Sequence, residues 1–116
     1  MTENELQQSI IDYARMNGWR IFHAQTSRVQ RKDGSVYYAT AGIADSKGWP
    51  DLFMVKGRDR LAVEVKSDKG KPSTEQNEWL LALFEAGIDA RVWRPRDWPA
   101  IERRLGRRVD IEKALG

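Results

Sequence analysis

Apolar residues recur at helical spacing at the start of the chain. Leu6, Ile10, Tyr13 and Ala14 fall on one stripe and Gln7, Gln8, Asp12 and Arg15 fall elsewhere, which predicts an amphipathic helix over 3–17. Thr2 and Glu5 form the T-x-x-E of a capping box that starts it, and Asn17-Gly18 supplies the stop. The period then changes. WRIFHA (19–24) is rich in aromatic and β-branched residues and reads as a strand. Between Ser27 and Thr40, Asp33-Gly34 separates two strand-like flanks, the strongest short hairpin signal a sequence offers. A small, polar loop (41–48) leads to two short apolar strands, 51–56 and 60–66, joined by a Gly/Arg/Asp turn. Pro72 precedes Ser73-Thr74-Glu75-Gln76, a second capping box, and Trp79, Leu80, Leu83 and Phe84 give a helix ending near Gly87. ARVWR (90–94) is a further strand, and Asp97 caps a last helix with Pro99 in its first turn and Ile101 and Leu105 on its inner face. RRVDIEKALG (107–116) adds a short helix or frays. The order helix, strand, hairpin, strand, strand, helix, strand, helix predicts an α/β fold with a mixed sheet.

A chain of 116 residues is long enough for one core, so we expect a single domain over 1–116. It has no cysteine, which excludes a disulfide framework and a thiolate metal site; any metal must be held by oxygen or by the one histidine. The longest apolar run is far too short for a membrane span and TENELQQ is too polar for a signal peptide. We therefore expect a soluble, cytoplasmic protein with no membrane partner. A formal charge of +3 and pI near 9.4 suit a phosphate-bearing partner.

Charged residues embedded in the two central strands carry the chemistry. Side chains alternate along a strand, so Glu64 and Lys66 share one face and Leu61, Val63 and Val65 take the other. If residues 57–60 close an even-numbered loop, Asp51 lies opposite Lys66 and diagonal to Glu64. Diagonal neighbours are separated by roughly 7–8 Å, within reach of two carboxylates sharing one hard cation. Such a cation can lower the pKa of a bound water and neutralise charge on a phosphate, a second one could stabilise the leaving oxygen, and Lys66 supplies a fixed positive charge. The bland alternative is an exposed Glu/Lys ion pair worth ~0–1 kcal/mol. Gly48-Trp49-Pro50 fixes a turn ahead of Asp51. Glu3 precedes Leu6 and Ile10 by three and seven residues and so points inward, whereas Glu5 aligns with the wet face. Gln76 precedes Leu80 and Leu83 by four and seven residues and also faces inward, in competition with a role as capping partner of Ser73.

Glu3, Gly48-Trp49-Pro50-Asp51, Glu64-Val65-Lys66 and Gln76 with Trp79 and Leu80 together resemble the PD-(D/E)XK nuclease superfamily. Within it the chain looks like a stand-alone VRR-Nuc domain of phage or bacterial type, from ENELQQSIIDYA to RVWRPRDW. The resemblance implies a restriction-endonuclease-like core with helices flanking a mixed sheet, and dependence on Mg²⁺, with Mn²⁺ as a substitute. It also implies metal ligation by Asp51, Glu64 and the Val65 carbonyl, with Lys66 as catalytic lysine and Glu3 and Gln76 completing the site. The Glu-Asn-Glu-Leu start resembles archaeal Holliday-junction resolvases and favours Glu3 over Glu5. Branched DNA, a homodimer, and a bacterial or phage-infected cell are the implied substrate, assembly and setting.

The leading reading is thus a Mg²⁺-dependent DNA endonuclease acting on junctions or flaps. A sequence-specific restriction-like enzyme and a non-catalytic nucleic-acid-binding module are the alternatives; the latter predicts salt-sensitive binding without cutting. Arg28, Arg31 and Lys32 on the hairpin form a basic arm, and Lys47, Lys69 and Lys71 flank the proposed site as phosphate contacts or as ordinary solvated loop residues. Trp49 reads as a lid over the core in preference to a base-stacking platform, His23 as an ordinary strand histidine, and Trp79 and Trp93 as core. Trp98 and Ile101 offer a face for self-association.

Overall fold

The computed structural model describes residues 1–24, 26–40 and 44–106, and for 26–29 and 37–40 the backbone alone. The closing segment 107–116, and with it the expected short helix, lies outside the described residues. Helix α1 spans Glu3–Met16, and both bonds of its capping box form between Thr2 and Glu5. Strands β1 (Arg20–His23), β4 (Leu52–Lys56), β5 (Asp59–Val65) and β6 (Asp89–Trp93) make one sheet in the order β1-β4-β5-β6. The first three are antiparallel and β6 runs parallel to β5. The crossover between β5 and β6 carries helix α2 (Thr74–Glu85), as a parallel connection requires. A 3-10 turn at Pro95–Asp97 leads into helix α3 (Trp98–Leu105).

One face of the sheet is the main core. Leu52 and Met54 of β4 and Leu61, Val63 and Val65 of β5 pack with Leu6, Ile10 and Ala14 of α1 and with Ile101 and Leu105 of α3. Ile101 is fully buried there, which removes it from the self-association face expected on the last helix, and half-buried Trp98 stands edge-on to Tyr13. Arg104 ties α3 to the sheet. Its guanidinium makes two 2.7 Å bonds to Asp59 and one of 2.9 Å to Asp89, and it lies over the Trp19 ring. The opposite face is covered by α2, which buries Leu83; Phe84, expected on the same inner face, is exposed because it lies about 100° further round the helix. Central strand β5 is therefore buried on both faces from Leu61 to Val65, as a strand flanked by helices on either side should be.

One turn differs from the sequence reading. The β4–β5 loop is two residues, Gly57-Arg58, and not four, with the positive φ of 59° at Gly57 that a II′ turn places at its first central position. The hairpin expected at Asp33-Gly34 forms. Strands β2 (Thr26–Gln30) and β3 (Val36–Thr40) are joined by a type I-like turn in which Gly34 N–H donates to the Arg31 carbonyl, and Gly34, at φ 89°, forms the bulge that follows. This hairpin is a separate two-stranded sheet.

Candidate active site

The shortened β4–β5 turn shifts the ladder by two residues. Asp51 is therefore aligned with Glu64 instead of Lys66, and since a shift of two keeps every side chain on its face, the three residues still converge. Asp51 stands just before β4, behind the fully buried Pro50, and its Oδ2 accepts a 2.8 Å hydrogen bond from the Val65 N–H. This bond anchors the carboxylate to the end of β5.

Glu64 is the unusual residue. Only 1% of its surface is exposed. Its Oε1 accepts a 3.0 Å bond from Gln76 Nε2 and lies 3.4 Å from Lys66 Nζ. Its Oε2 is buried with no donor in reach among the described residues. Burial, followed by the hydrogen bonding and negative charge of Asp51, pushes its pKa up to about 8 against the opposing pull of Lys66. A buried carboxylate with an orphaned oxygen beside a second carboxylate is costly as it stands.

Gln76 resolves the choice between helix cap and site residue by being both. Its Oε1 accepts from the Ser73 N–H at 2.8 Å, closing the capping box, while its Nε2 turns to Glu64. The Ser73 N–H can only donate, so it fixes which end of the amide faces the carboxylate.

Glu3 does not point inward. It opens the first turn of α1 and is exposed, since a first-turn side chain tilts back toward the N-terminus and overhangs the helix end. It makes no hydrogen bond or ion pair with the other four among the described residues. Gln7, one turn further on, meets His23 at 3.2 Å, and His23 is the ladder partner of Leu52. Glu3 thus belongs to the end of α1 that lies toward Asp51.

The loop before Asp51 is locked to α2. Trp79 Nε1 donates to the Asp45 carbonyl at 2.8 Å, Trp49 sits edge-on to Trp79 with centroids 4.9 Å apart and stacks on Phe53, and Lys47 pairs with Glu75 at 3.3 Å. Trp49 is therefore a lid, and Trp79 belongs to this half-buried aromatic group, whereas Trp93 is in the core. Gly48 allows the close approach. Its φ is 86°, and a Cβ there would come within 2.5 Å of the Glu75 backbone. Gly48→Ala is expected to cost roughly 2–4 kcal/mol, from strain plus a clash that only a shift of α2 can relieve. Urea unfolding checks this, and a variant as stable as the parent would contradict the packing.

Among the basic candidates, Lys69 and Lys71 are exposed and carry no ion pair among the described residues, and Arg31 and Lys32 are exposed near the hairpin turn. Arg28 is placed on β2 by its backbone, in register with Tyr38.

The donor set suits a hard, oxygen-loving cation. Among the described residues Glu64 Oε2 has no donor, Asp51 engages the Val65 N–H through Oδ2, and the Val65 carbonyl belongs to that same residue. Among the described residues no three acidic or histidine side chains cluster as a cage. Two carboxylates are what a cation needs if it keeps several water ligands.

A family model of the VRR-NUC domain matches residues 4–97. The chain belongs to the VRR-NUC family. The match runs from α1 through the 3-10 turn, so Asp51, Glu64, Lys66 and Gln76 lie inside the VRR-NUC domain and Glu3 lies one residue before the matched stretch. No curated protein and no solved structure matches the chain. Membership makes this a nuclease-type domain, with nucleic acid as its implied substrate. Among the described residues no helix is long and apolar enough to cross a membrane.

Proposed function

We propose that the chain is a Mg²⁺-dependent DNA endonuclease that hydrolyses phosphodiesters in branched DNA, with Mn²⁺ able to substitute, and that it works as a homodimer. The observation that carries the metal reading is the orphaned Oε2 of buried Glu64, next to a second carboxylate. Asp51, Glu64 and the Val65 carbonyl would hold the cation. When bound, the cation lowers the pKa of a coordinated water and offsets charge on the phosphate.

The protein residues do the rest. Gln76 holds Glu64 in one rotamer, and the Val65 N–H does the same for Asp51. The Lys66 ammonium, fixed against Glu64, faces the developing negative charge of the reacting phosphate. The preference for branched DNA and the two-fold assembly rest on the likeness of stand-alone VRR-Nuc domains to junction resolvases.

A panel of four-way junction, flap, duplex and single strand, incubated with Mg²⁺, Mn²⁺ or chelator, tests this. The expected result is divalent-dependent cleavage, fastest on the junction or flap. Lys66→Ala is expected to slow it at least about a hundredfold, the scale for removing a fixed charge from a developing anion. Cleavage that persists in chelator, or that Lys66→Ala leaves intact, would refute the site. Cuts set by sequence instead of branch position would refute the substrate.

A further inference from the structure

The loop from Lys66 to Ser73 joins the strand that carries Glu64 to the helix that carries Gln76. It bears Lys69, Gly70 and Lys71 and has no regular structure, so a wide range of conformations would be open to it alone. Arg94, at the end of β6, removes that freedom. Its Nη1 donates to the carbonyls of both Ser67, at 2.6 Å, and Gly70, across the turn that Ser67 Oγ closes onto the Gly70 N–H. Its own backbone N–H is held by Asp97 at 2.8 Å, which makes the clasp rigid from behind. The next residue but one, Arg96, lies against the same loop, its backbone N–H 3.4 Å from Asp68 Oδ1, with its side chain exposed. Lys69, Lys71 and Arg96 are thus held together on one exposed ridge beyond the Glu64 end of β5, and none of the three is in an ion pair among the described residues.

A half-buried guanidinium that spends its donors on carbonyls gains less than one paired with a carboxylate. Its evident effect is to fix a loop. We propose that Arg94 is a positioning residue that pre-forms a phosphate-binding ridge of Lys69, Lys71 and Arg96, so that a DNA backbone is seated on it without an ordering cost. The ridge deepens the nuclease reading and depends on it only for the identity of the ligand. The Lys66 backbone is held by the sheet, its N–H donating to the Trp93 carbonyl, and its ammonium by Glu64, while its side chain passes beside Gly70 of the clasped loop. Binding is therefore measured apart from cutting, so that the effect of Arg94 on the ridge is read without any effect on Lys66.

The test measures binding of a fluorescein-labelled four-way junction and duplex by anisotropy over a salt series, in chelator and on an Asp51→Asn background that cannot cut. Arg94→Gln is expected to weaken binding about tenfold and to lower the slope of log affinity against log salt by about one to two, since each phosphate contact contributes about 0.9. The triple variant Lys69→Ala, Lys71→Ala, Arg96→Ala is expected to do the same, and adding Arg94→Gln to it is expected to change affinity less than about twofold, as coupled residues do. Arg94→Lys, which keeps the charge and part of the clasp, is expected to fall between, and it carries the test should Arg94→Gln unfold. Affinity within about twofold of the parent for a folded Arg94 variant, or an effect that adds fully to the triple variant, would overturn the proposal, as would a parent that binds no DNA. Coupled binding effects in a protein that cuts none of the panel would overturn the nuclease reading and leave the ridge standing.

Discussion

Asp51→Asn is expected to leave the protein folded while cutting cleavage by well over a hundredfold. The substitution is close to isosteric. An asparagine Oδ1 can accept the Val65 N–H bond that Asp51 Oδ2 now accepts, and its amide N–H₂ would face Glu64, where the orphaned Oε2 has no donor. The like charge that helps push the Glu64 pKa up would vanish. In chelator the variant should therefore melt at or above the temperature of the parent. It would nonetheless lose one of two carboxylates available to the cation. Loss of a group that merely orients a ligand costs about 10–100-fold in affinity or activity, so loss of the ligand itself sits above that range. The two readouts together are decisive. A variant that melts as the parent does and cuts within about tenfold of it would remove Asp51 from the site, and a variant that fails to fold would mean that its charge is structural.

The register of β4 against β5 shows what sequence alone could and could not supply. A four-residue loop placed Asp51 opposite Lys66, and the two-residue turn at Gly57-Arg58 moved it to Glu64. The error was harmless because loop length was wrong by an even number, and face is set by parity. The capping boxes at Thr2 and Ser73 were legible because they depend only on residues three apart. Features that depend on distant elements were not. Periodicity assigned one face of β5 to core and one to chemistry, but that α2 covers the second face, so that Glu64 is buried and not merely in-facing, follows from the β5–β6 crossover. Glu3 was misjudged because a helical wheel gives angle and ignores position along the axis, and at the first turn the helix has already ended. Nothing in WRPRDW distinguishes Arg94 from its neighbours until β6 is placed beside β5 and the loop beyond it.

Glu64→Gln is expected to stabilise the metal-free protein, and only at neutral to alkaline pH. An ordinary glutamate ionises near 4.5, and folded Glu64 does so near 8. Below about pH 4.5 the group is protonated in both states and contributes no difference. Between 4.5 and 8 the unfolded chain has released a proton that the folded chain retains, so stability falls by up to about 1.4 kcal/mol per pH unit, and above 8 the loss levels off. Glutamine cannot ionise, and its amide N–H₂ can face Asp51 while its carbonyl still accepts from Gln76. In chelator the parent should therefore lose melting temperature from pH 5 to pH 8.5 relative to Glu64→Gln, by on the order of 10 °C for a difference of a few kcal/mol. A divalent cation reverses the comparison, since it binds the ionised carboxylate and displaces the proton. Adding Mg²⁺ at pH 7 should raise the melting temperature of the parent and release close to one proton, readable with a pH indicator, and should do neither for Glu64→Gln. Parallel melting curves for the two proteins across this pH range would mean that Glu64 is not the buried acid described, and a parent that binds Mg²⁺ without releasing a proton would mean that the cation sits elsewhere.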